Sequence, residues 1–147
     1  MLGVIQCLSA FIACIGFGFI FRIHYHPKFS IIAALGGSIG YAIYLICLNF
    51  ASEMTAYFLA MSVVAFFAET AARILKAPAT IFLIIGCFPL VPGRGIYTTM
   101  LYSIQGNSEL FLDSFLNTIG ISLSLALAIL VVSTIFKVIK KLTYKSA

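Results

Sequence analysis

At 147 residues, 63% hydrophobic and only 9% charged, with a mean hydropathy of +1.16, the chain lies far outside the range of soluble globular domains, in which roughly 25% of residues are charged. That composition leaves no room for a soluble domain beside membrane spans. The net charge of +5 does not mark a nucleic-acid binder either, because eight of the nine Lys and Arg residues sit at the ends of apolar segments, where membrane topology uses them.

Uncharged runs of about the 20 residues needed to cross a bilayer recur along the chain. They predict an all-α integral membrane protein, one transmembrane domain over residues 1–147 with about five spans. The first span is read over 2–21. It ends at Arg22 and is followed by His24, His26, Pro27 and Lys28. Two histidines without a nearby Cys or carboxylate make a poor metal site, and an interfacial loop is the stronger reading. Cys7, Cys14, Cys47 and Cys87 all fall in apolar segments without metal-ligand spacing and read as small hydrophobes. No positive segment precedes Cys14, so the first segment reads as a retained span and not a lipoprotein leader. No metal and no cofactor is expected.

The second span, 29–50, contains Gly36, Gly37, Ser38, Ile39 and Gly40. Its Gly-x-x-x-Gly pair lets helix backbones approach closely, and the alternative is a thinned helix wall beside a substrate path. It fails as a phosphate loop, since no Lys follows and nothing marks a preceding strand. Glu53 marks the next loop. The third span, 54–72, closes with Glu69 and Arg73, four apart in the favourable acid-before-base order. Snorkelling to the interface, an interior ion pair and a proton-accepting Glu69 all remain open.

Lys76, Ala77 and Pro78 precede the fourth segment, 79–104. It is interrupted by Pro89, Pro92, Gly93, Arg94 and Gly95. Proline cannot continue the helical hydrogen-bond ladder, and glycine tolerates the conformations of a break. The segment therefore reads as one discontinuous helix, restarting after Gly95. Irregular backbone at membrane depth survives only where protein or a water-filled cavity satisfies it, which makes this break the candidate site. Pro89, Pro92, Gly93, Arg94, Tyr97, Thr98 and, from the last span, Asn117 are the candidate substrate-binding or translocation residues. A polar loop is read over 105–113, and the fifth span over 115–136, with Lys137, Lys140, Lys141 and Lys145 beyond it.

Arg22 and Lys28, Arg73 and Lys76, and the terminal lysines fall on one side of such a layout, and Glu53, Glu109 and Asp113 on the other. The positive-inside rule then places the N-terminus out and the C-terminus in. Arg94 is the one basic residue this leaves over, and its burial is expected. A guanidinium can bind a carboxylate through two parallel charge-assisted hydrogen bonds. The other reading is an interior ion pair with Glu69.

The run from Ala68 to Pro78, with Glu69-Thr70-Ala71-Ala72-Arg73, and the Pro-Leu-Val-Pro-Gly-Arg-Gly-Ile-Tyr stretch from Pro89 to Tyr97 resemble the threonine/serine exporter family. The Gly36–Gly40 segment is similar to the small-residue stretch of that family's second span. The five-span layout resembles the shorter, C-terminal-type half of split exporters. The resemblance implies a subunit of a secondary, gradient-driven exporter of threonine- or serine-like amino acids in a bacterial-type plasma (inner) membrane. It also implies a longer partner subunit, a homo-oligomer, or both. Some split pairs of the family are associated with dicarboxylate export. A non-transporting membrane scaffold is the competing class, and a membrane enzyme is disfavoured because no nucleophile–base pair accompanies Glu69 or Asp113.

Overall fold

The computed structural model describes residues 2–20 and 27–145. Arg22, His24 and His26 lie outside them. The described chain is helical: α1 (Leu2–Ile20), α2 (Pro27–Cys47), α3 (Glu53–Leu75), α4 (Ala79–Cys87), a 3-10 turn (Phe88–Leu90), α5 (Gly93–Ile104) and α6 (Ser108–Lys145). α1, α2, α3 and α6 are long and apolar enough to cross a membrane, whereas α4 with its turn and α5 reach that length only as a pair, bent by 54°.

α3 is the hub and packs on α2, α4 and α6, while α1 lies mainly against α2. Its sequence explains this role. Ala56, Ala60, Ala65, Ala68, Ala71 and Ala72 are all buried, so neighbouring helices approach its backbone with little side chain between. Ser52 caps its start, its hydroxyl accepting from the Thr55 N–H at 3.5 Å.

The small residues of α2 have the same effect. A Cβ on Gly37 would stand 2.9 Å from Cys14 Sγ on α1 and 3.2 Å from the Gly86 carbonyl oxygen on α4, and one on Gly40 would strike Val64 on α3. Ser38 donates from its hydroxyl to the Cys7 carbonyl at 3.1 Å, tying α2 to α1. Three helices thus meet α2 where it has no side chain to offer. Gly37→Leu is expected to overpack this junction at a cost of about 1–3 kcal/mol. The measurement is thermal unfolding in detergent, where Tm should fall by several degrees and an unchanged Tm would contradict the packing.

Two sequence expectations are corrected, the loop over 105–113 and the restart of the helix after Gly95. The polar stretch 105–113 is a loop only as far as Asn107, because Asn107 acts as a cap: its side-chain oxygen accepts from the Leu110 N–H at 3.3 Å, and its carbonyl accepts from Phe111 at 3.0 Å. Glu109 then sits in the first turn of α6, where a negative charge is favoured. α6 also runs well beyond Phe136. At 38 residues it is about 57 Å long, longer than a hydrocarbon core, since lysines end a hydrophobic stretch without ending a helix. Finally, the helix restarts at Gly93 and not after Gly95.

Candidate functional site at the broken helix

The break is built from two local devices. Pro89 is the second residue of the 3-10 turn, and Leu90 is fully buried against Met61, Val64 and Ala128, which anchors the turn to the bundle. Val91 is extended (φ −63°, ψ 129°), the conformation that a following proline favours. Pro92 (φ −75°, ψ 58°) then forms an inverse γ-turn closed by the Gly93 N–H to the Val91 carbonyl at 2.7 Å. α5 begins with no side-chain cap.

A helix start leaves its first N–H groups without intrahelical acceptors. Here Gly93 is satisfied by Val91 and Ile96 by the Pro92 carbonyl, which leaves the amides of Arg94 and Gly95. Both residues line a cavity of about 440 Å³, within the usual size of small-molecule sites. Its walls come from four elements: Tyr41 and Tyr44 of α2, Glu53 and Tyr57 of α3, the Pro89–Gly95 region with Thr98 of α5, and Asn117 and Ile121 of α6.

Six of the seven candidate substrate residues, Pro89, Pro92, Gly93, Arg94, Thr98 and Asn117, are therefore brought to one cavity. Tyr97 is not; it is 66% exposed on α5. Arg94 lines the cavity but is exposed, contrary to the burial expected, because it stands in the first turn of α5, a helix with no buried residue that packs on α6 alone among the described elements. The Thr98 hydroxyl is turned back on its own helix, donating to the Arg94 and Gly95 carbonyls at 3.0 and 3.1 Å.

Glu69 and Arg73 lie elsewhere. They line a separate cavity of about 350 Å³ with Phe136 and Lys137, so the pairing of Glu69 with Arg94 does not form. Arg73 instead reaches α6. Its guanidinium donates to the Phe136 carbonyl at 3.1 Å and lies over that ring, 4.7 Å from the centroid, a cation–π contact joining α3 to α6. Gly36, Gly37, Ser38 and Gly40 serve helix packing and lie off the cavity.

Glu53 and the three tyrosines were not among the sequence candidates. Asn117 donates from Nδ2 to Glu53 Oε2 at 3.3 Å across α6 and α3, and the Tyr44 and Tyr57 rings lie 4.4 Å apart. The available signal was weak: Tyr41 and Tyr44 recur three apart, and Glu53 and Tyr57 four apart, so each pair shares a helix face.

Comparison with known proteins gives one match. A family model described as threonine/serine exporter, ThrE, covers residues 6–135. No curated protein and no solved structure shows significant similarity to the chain.

Proposed function

We propose, from the premise that this chain belongs to the threonine/serine exporter family, that it is a subunit of a secondary, gradient-driven exporter of small amino acids, with the cavity at the helix break as its substrate site. The observation that carries this reading is the cavity itself. It places a guanidinium, Arg94, beside the uncapped start of α5. A helix N-terminus with free amides and an adjacent cation favours a carboxylate. Broken helices near the bilayer midplane are a recurring transporter solution.

α4 and α5 form one in-to-out span in this reading. With the lysines that follow Phe136 on the same side as Lys28, Arg73 and Lys76, the pair must cross the membrane so that α6 can return. The N-terminus is then out and the C-terminus in, as in a bacterial-type inner membrane. α5 packs on α6 alone among the described elements. A half-helix of about 18 Å with an open flank calls for another protein surface, so the working unit includes a longer family member, a second copy, or both.

Vesicles carrying the chain, with and without a co-produced longer family member, should exchange labelled L-threonine against an internal pool faster than empty vesicles. Exchange at the empty-vesicle rate in both preparations would overturn the reading.

A further inference from the structure

The cavity carries a second charged group, of the opposite sign to Arg94 and contributed by a different helix. Glu53 stands at the start of α3 and Arg94 at the start of α5, and both line the same space. Glu53 is held by Asn117, which donates from α6 to Oε2 at 3.3 Å. That bond engages one oxygen of an exposed carboxylate, and no described residue donates to Oε1. Beside it, Tyr44 and Tyr57 form a tilted pair with ring centroids 4.4 Å apart, and both line the cavity. A carboxylate and aromatic rings lining one cavity make a favourable environment for an organic cation.

A first-turn acid has a simpler explanation, since negative charge near a helix N-terminus is stabilising whatever else it does. That account requires neither a donor from α6 nor a position in the wall of a cavity that an arginine also lines.

We infer that Glu53, oriented by Asn117, receives the α-ammonium group of the substrate and makes this cavity selective for amino-acid zwitterions over dicarboxylates. The inference rests on the exporter reading and deepens it. A zwitterion neutralises both walls at once, its carboxylate at Arg94 and its ammonium at Glu53. A dicarboxylate satisfies Arg94 but brings a second negative charge towards Glu53, and like charges in one cavity oppose binding even where, as here, both side chains are exposed.

The test uses the full chain in lipid nanodiscs and isothermal titration with three ligands: L-threonine, 3-hydroxybutyrate (the same skeleton without the amine) and succinate. Wild-type protein is expected to bind L-threonine at least about tenfold more tightly than either of the others, the ratio that one charge-assisted hydrogen bond supplies. Glu53→Gln should lose about that factor for L-threonine, leave 3-hydroxybutyrate unchanged, and bind succinate as well or better. Glu53→Asp should keep most of the preference. Retained 3-hydroxybutyrate binding shows that the Gln variant is folded.

Wild-type protein that binds 3-hydroxybutyrate as tightly as L-threonine would overturn the inference, as would a Gln variant with unchanged L-threonine affinity. A Gln variant that loses all three ligands would make Glu53 structural and also overturn it. In each of these cases the exporter reading survives, because L-threonine still binds the wild type. Wild-type protein that binds none of the three ligands would instead remove the exporter reading at this cavity, and the inference with it.

Discussion

Arg94→Ala is expected to lower L-threonine efflux about tenfold to a hundredfold, the range that corresponds to losing a charge-assisted hydrogen-bonded contact of about 1.5–3 kcal/mol. The side chain lines the cavity but is exposed, so its charge is partly screened and the lower end of that range applies in high salt. Arg94→Lys separates charge from geometry. It keeps the cation but loses the planar fork that holds a carboxylate through two bonds, and should recover only part of the rate. Initial rates in vesicles at low and high ionic strength provide the measurement. An alanine variant that transports at the wild-type rate would show that the arginine has no part in substrate handling. The fold should not suffer, since Arg94 is exposed and its side chain has no hydrogen-bond or ion-pair partner among the described residues.

The break was legible in the sequence because its cause is local. Two prolines and two glycines act on their own backbone, and Val91 takes the extended conformation that the ring after it favours. The same locality explains the recovery of Pro89, Pro92, Gly93, Arg94 and Thr98 as one group: they are neighbours in the chain, and Asn117 joined them as a polar residue in an apolar span. Glu53, Tyr41, Tyr44 and Tyr57 are different. Each reads alone as a loop marker or a membrane aromatic, and only the packing of α2 and α3 around the turn makes them a wall.

The errors have physical reasons of the same kind. Hydropathy locates where a segment leaves the hydrocarbon, which is not where its hydrogen-bond ladder stops, and so the helix α6 extends past both ends of the apolar stretch 115–136. The Glu69–Arg94 alternative failed because charge complementarity carries no information about depth. Glu69 lies near the end of α3 and Arg94 at the start of α5, and they open on different cavities. The family match supports the membrane-exporter class over the scaffold reading. The residue-level site rests on geometry and chemistry.

Gly95→Leu is expected to abolish transport while leaving the bundle standing. A Cβ on Gly95 would collide with the Thr118 hydroxyl and lie 3.3 and 3.4 Å from its Cβ and Cγ2 atoms. Thr118 cannot simply turn away, because its hydroxyl donates to the Ser114 carbonyl at 2.6 Å. Added bulk must therefore push α5 off α6, which is the element α5 packs on, and shift Arg94 relative to Asn117 and Glu53, which line the same cavity. Yet no residue of α5 is buried, so little apolar area is lost and Tm should move far less than for Gly37→Leu, where three helices are forced apart. Loss of transport with a nearly unchanged Tm is the signature to look for. Gly95→Ala should be intermediate, and combining it with Thr118→Gly, which empties the space the new methyl enters, should restore transport. Failure of that rescue, with Thr118→Gly alone still active, would mean that close contact between α5 and α6 is not what positions the site.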